Sequence, residues 1–194
     1  LKNNIPDITD FLLEIDALKT INRRTYINSG SRLENSAEHS WQLALACWLF
    51  ADCLDDDFDT EKLIKLALIH DLGEIDAGDT FLYAANRHHV SEDERKGIER
   101  LSIHPGNPID PLLALWDEQE AGESKEARLL KVLDRLLPFL LNLANKGKTW
   151  QEHGIKKSQV QAAHAFIEKE MPDIHAWIKT ALDNAVEQGW LIDG

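Results

Sequence analysis

Residues 60–79 read TEKLIKLALIHDLGEIDAGD, and this stretch decides the fold. Leu63, Ile64, Ala67 and Leu68 recur at the three-and-four spacing that lines one side of an α-helix. Asp59 or Thr60 supplies the polar cap that starts the helix, and Gly73 and Gly78 loosen the chain beyond it. The helix therefore delivers two polar residues, His70 and Asp71, at its end. Neighbouring side chains on a regular helix diverge by about a quarter-turn, but at a fraying helix end both can converge on one point.

Working outward, the same signals recur. Asn35 followed by Glu38 is a capping box that opens a helix to about residue 54, with Leu43, Ala46, Cys47, Phe50 and Leu54 inward and His39 in its first turn. Upstream, a helix over about 9–22 precedes Arg23 and Arg24. Downstream, Ser91 with Glu94 starts a helix that stops before His104-Pro105, because proline disfavours helical geometry at the residue preceding it. Asp110-Pro111 caps another, which Gly122 ends. Ser124 opens a long apolar helix through Leu129, Val132, Leu133, Leu136 and Leu140 that contains Asp134. Ser158 with Gln161 starts the penultimate helix, and the last runs from Pro172-Asp173 to Gly189. Strand-like alternation between hairpin turns is not found, so an all-α fold is expected. The 194 residues suit one domain, with a motif-bearing core over about 10–146 and C-terminal helices over about 158–189 packing on it.

Composition narrows the function. A net charge of −13 repels a phosphate backbone, and no run of Lys and Arg reverses it locally, so a nucleic-acid polymer is not expected as partner. A small phosphorylated ligand remains compatible, since a metal ion and one or two arginines reverse the sign inside a cleft. The longest apolar run, 136–143, falls far short of the roughly 20 residues of a membrane span. Residues 1–10 show no basic segment followed by an apolar one, so no secretory leader is expected. Cys47 and Cys53 lack redox or zinc spacing and read as buried free thiols of a cytoplasmic protein.

Three separated segments carry ligands for a divalent cation: His39, the His70-Asp71 doublet, and Asp134 in an apolar helix. Imidazole nitrogen with carboxylate oxygen suits Mn, Fe, Co, Ni, Zn or Mg, and four protein ligands leave positions for water or substrate. A carboxylate in a largely buried helix costs several kcal/mol unless partnered. Asp134 therefore needs either a cation at a shared site or a basic neighbour, Arg135 or Lys131. Taken alone, His70 also fits a hydrogen-bonded core histidine, and Asp71 the first residue of a loop.

A His, a distant His-Asp doublet and a later Asp resemble the HD-domain phosphohydrolases. The stretches Ile21-Asn22-Arg23, Ser36-Ala37-Glu38-His39-Ser40 and His70-Asp71-Leu72-Gly73-Glu74-Ile75-Asp76-Ala77-Gly78-Asp79 are similar to the bacterial 5′-deoxynucleotidases of the YfbR type and their eukaryotic relatives. The resemblance implies an HD-type multi-helix bundle in which His39, His70, Asp71 and Asp134 hold one divalent ion. It implies hydrolysis of a 5′-phosphomonoester, a nucleoside monophosphate or similar small phosphate, with Asp71 and Glu74 catalytic. Glu74 relays the proton and touches substrate, Arg23 grips the phosphate and Asp79 meets a sugar hydroxyl. It also implies a homodimer. Where the bacterial enzymes place Trp after that Arg, this chain has Arg24, which leaves the deoxyribose preference open. Two other readings use the same fold: a phosphodiesterase or pyrophosphohydrolase, with His88, His89 or His104 at a second metal, and a non-catalytic nucleotide-binding module. The segment 82–90 reads as a mobile loop.

Overall fold

The computed structural model describes residues 4–84 and 90–194. They form two compact units, one of residues 4–22, 35–80 and 90–130, the other of residues 23–34, 81–84 and 131–194.

In the first unit, α1 (Ile5–Asp16) starts earlier than the sequence suggests, because Asn4 accepts the Asp7 N–H at 2.9 Å and Pro6 sits in the first turn, where its missing N–H costs nothing. A 3₁₀ turn over Ala17–Thr20 ends it short of residue 22. The capping box of α2 (Ser36–Cys53) is present in both directions: the Glu38 N–H donates to Asn35 Oδ1 at 2.9 Å and the Asn35 N–H to Glu38 Oε2 at 3.1 Å. Asp59 caps α3 (Thr60–Ile69) by accepting the Lys62 N–H at 2.9 Å. Then come α4 (Glu74–Ala77), α5 (Val90–Ser102) and α6 (Leu112–Ala121), the last closed by Gly122 in the left-handed region at φ 65°. Phe11, Leu18, Ile69, Leu72, Ile98, Leu101, Leu112 and Trp116 form a buried cluster across these elements.

One stripe of α2, Ser36, His39, Ser40, Leu43, Ala44, Cys47 and Ala51, is buried. Leu43 and Cys47 fall inward as the periodicity predicts, while Ala46, Phe50 and Leu54 are half-buried. Cys53 is exposed, not buried: six residues beyond Cys47, it lies well round the helix from it.

The second unit departs from the helical expectation. β1 (Asn22–Tyr26) and β2 (Leu33–Asn35) pair as a two-stranded sheet. Its inward positions are polar, Arg23, Thr25 and Glu34, so no apolar alternation announces it. α7 (Lys125–Ala144) continues through Pro138 and is followed by α8 (Lys148–Glu152), α9 (Lys157–His164), α10 (Ile167–Glu170) and α11 (Pro172–Glu187). The short α8 and α10 have no counterpart in the sequence reading, and α9 begins one residue before Ser158. Phe139 packs against the rings of Trp150, His164 and Trp177 at centroid distances of 5.7, 5.3 and 6.0 Å. Among the described residues no helix is long and apolar enough to cross a membrane.

Candidate metal centre

The centre is built where two helix ends meet. α2 begins at Ser36 and carries His39 in its first turn, fully buried. α3 stops at Ile69, and residues 70–73 turn before α4 begins at Glu74. That turn lets the side chains of His70 and Asp71 converge. One ligand atom from each of His39, His70 and Asp71 lies within 4.8 Å of the others, and the two imidazole rings are 5.4 Å apart. Among the described residues this is the group of three or more His, Cys, Asp or Glu able to hold a metal.

His70 is oriented for ligation by the backbone. Its Nδ1 donates to the Ala67 carbonyl at 2.8 Å, so the neutral ring presents a lone pair at Nε2, the arrangement by which outer contacts fix a ligating tautomer. Nε2 lies 3.0 Å from Asp71 Oδ1. Two atoms that both offer lone pairs at this distance repel unless a proton or a cation sits between them. The donor set, imidazole nitrogen with carboxylate oxygen, fits a borderline or hard divalent ion. The indole Nε1–H of buried Trp116 donates to the His70 carbonyl at 3.1 Å, tying the turn to the core.

Glu74 is buried, and the Ser36 hydroxyl donates to its Oε2 at 2.5 Å. Glu74 therefore faces inward at the end of the turn. Two contacts fix α4. Arg100 on α5 forks onto Asp76 at 2.8 and 2.9 Å, and those hydrogen bonds hold its guanidinium above its usual range. Gly73 lies so close to α5 that a Cβ there would stand 2.6 Å from the Glu94 carbonyl oxygen. Beyond α4, Gly78 adopts φ 77°, which glycine tolerates, and leads into half-buried Asp79.

The remaining candidates belong to the second unit. Arg23 on β1 is nearly buried, its Nε 3.5 Å from Oε2 of the buried Glu34 on β2. Asp134 on α7 is mostly buried, with Arg135 Nη1 3.4 Å from its Oδ2, so the basic neighbour considered from sequence is in place. Arg24 is exposed, and its carbonyl accepts the Thr149 hydroxyl at 3.0 Å. His88 and His89 lie outside the described residues. His104 accepts the Gly106 N–H at 3.0 Å and packs on Phe11, a structural setting.

Ser36 and Glu34 went unread in the sequence. Both sit beside Asn35, whose capping signal accounts for the segment without them, and a polar residue carries no mark of burial in its letter alone.

Comparison with known proteins places this arrangement. Residues 15–175 match the HD domain family. The human 5′-deoxynucleotidase HDDC2 is 27% identical over 133 residues, covering 66% of this chain, and the chain spans 63% of that relative's length. The 5′-deoxynucleotidase Ent638_2835 of Enterobacter sp. (strain 638) is 28% identical over 161 residues, 78% of this chain and 80% of the relative. The crystal structure of a predicted metal-dependent phosphohydrolase from Magnetospirillum magnetotacticum MS-1 is 38% identical and superposes with a TM-score of 0.86 over 97% of this chain and 95% of the other. With a His-Asp doublet at a helix end beside a buried histidine, and a family match over most of its length, this chain belongs to the HD-domain family.

Proposed function

We propose that this protein is a metal-dependent phosphohydrolase that releases phosphate from nucleoside or deoxynucleoside 5′-monophosphates or similar small phosphomonoesters. The observation that carries the reading is the convergence of His39, His70 and Asp71, with His70 Nε2 and Asp71 Oδ1 3.0 Å apart. These three residues, joined by Asp134 as the family pattern implies, would hold one divalent ion. When bound, such an ion acidifies a water molecule and offsets charge on phosphoryl oxygens.

The chain's own groups supply the rest. Glu74, held by Ser36, receives or returns a proton at its carboxylate. Arg23 offers a planar fork of N–H donors to the phosphate, with Glu34 steadying the guanidinium. Asp79 accepts a sugar hydroxyl, the glycine before it bending the chain. The names of the curated relatives, 5′-deoxynucleotidases, support the substrate class. A cytoplasmic setting agrees with two free cysteines, and the working unit is two copies of the chain.

The test is phosphate release from a panel of ribo- and deoxynucleoside 5′-monophosphates with Mn, Co, Fe, Ni, Zn or Mg in turn. Turnover of monoesters is the expected result. Turnover of diesters or pyrophosphates alone would reassign the chemistry, and a rise in melting temperature with a nucleotide but no turnover would make the protein a binding module.

A further inference from the structure

From Leu43 to Ala51 α2 is apolar on every side, and a helical stretch of that kind is covered all round. Its inner stripe, Leu43, Ala44, Cys47 and Ala51, is buried. Its other side carries Trp41, Leu45, Trp48 and Leu49, which are 63%, 46%, 53% and 58% exposed. These four fall at i, i+4, i+7 and i+8, one continuous stripe. At those exposures they leave roughly 400 Å² of apolar surface in water, the size of the largest patch on a typical monomer, which is often functional.

We infer that this stripe is the face through which two copies of the chain associate, α2 against α2 about a two-fold axis. The inference rests on the two-copy reading above and names its surface. Three observations favour a second copy. From Ser40 to Ala51 the helix contains no charged residue, in a chain of net charge −13. Like-charged copies repel least where charge is absent, so this stretch is where two of them approach at lowest electrostatic cost. The stripe is also self-complementary: Trp41 and Leu49 stand four residues either side of Leu45, so an antiparallel crossing centred there sets each Trp41 against a Leu49. An isologous contact requires that reciprocity. Finally, an apolar patch of roughly 400 Å² is about half of the roughly 800 Å² that each partner buries in a standard interface, the share its centre takes.

The experiment is sedimentation velocity on the full chain at micromolar to tens of micromolar concentration. The wild type is expected to sediment with twice its 22.0 kDa mass. Leu45→Glu and Trp48→Glu are expected to sediment as monomers with unchanged helical circular dichroism, since both positions are exposed, while Leu13→Glu on the exposed side of α1 remains dimeric. A monomeric wild type would overturn both the face and the two-copy reading. A dimer that persists in both α2 variants, or that dissociates in the α1 variant alone, would overturn the face and leave the two-copy reading standing. Phosphate release by the wild type is read separately, so failure of the catalytic proposal is not mistaken for failure of this one.

Discussion

The two compact units set their buried polar groups against different neighbours. In the first, ligand atom faces ligand atom: His70 Nε2 beside Asp71 Oδ1, with a donor atom of His39 within reach of both. In the second, acid faces guanidinium, with Glu34 beside Arg23. An acid with an arginine is an electrostatically closed pair, worth modest stability for its position and costly to break. A histidine nitrogen against a carboxylate is open to a proton or a cation between them, and a cation there turns the contact into coordination. The difference sets the proposed ion site apart from the hairpin pair, and substitutions in the two units should read out differently.

The largest effect is expected at the open pair. Asp71→Ala removes one side of it, and loss of a ligand that supports several kcal/mol of transition-state stabilisation lowers turnover by about three orders of magnitude or more. Metal content by elemental analysis should fall with phosphate release, while the melting temperature of the metal-free protein changes little or rises. Retained metal and full turnover would close the distinction between the two units.

That the pair was readable in the sequence follows from its setting. Each residue of the doublet alone has a structural use, but the doublet with a histidine in a capped helix start, placed by counting from Asn35, points to one shared site. The hairpin was not readable, because Arg23, Thr25 and Glu34 are its inward residues and apolar periodicity cannot register them. α2 failed in another way. With apolar residues on all sides its sequence could not say which stripe is inward, so Cys53 was placed with Cys47, whereas Ser36, His39 and Ser40 mark the buried side. Asp134 lay between: its helix was legible, and so was the arginine beside it, but a cation site and an ion pair call for the same letter.

The second unit's closed pair gives the next effect, on stability and not on metal. Glu34→Ala deprives a nearly buried guanidinium of the acid 3.5 Å away, and breaking a buried pair from one side costs about 3 kcal/mol. Chemical denaturation should show this loss, with metal content unchanged. Equal loss of metal would mean that the hairpin pair and the ligand trio are not the separate devices drawn here.

Ser36→Ala sharpens the first unit further. A hydrogen bond to a charged group contributes about 1.5 kcal/mol or more, so kcat should fall about tenfold with KM nearly unchanged if the hydroxyl holds Glu74 for proton transfer. Ser36→Thr, which keeps the hydroxyl, should recover most of the rate. A fall in stability with unaltered kcat would reduce Ser36 to a packing residue.

The smallest effect concerns a histidine of the second unit that is no ligand candidate. His164 is buried, its ring nitrogens 2.7 Å from the Val160 carbonyl and 3.3 Å from that of Arg135. Burial pushes its pKa below the ordinary 6.5, outweighing both carbonyl contacts and reinforced by the charges of Arg135 and His175. The unfolded chain therefore binds a proton at higher pH than the folded one. Stability from this group is complete above about pH 6.5 and is lost as pH falls from there toward the depressed folded value. Denaturation midpoints between pH 7 and pH 5 should drop more steeply for the wild type than for His164→Gln, whose amide does not titrate. Parallel slopes would show that the folded ring takes up its proton as readily as a free one, and that the two carbonyls prevail over burial.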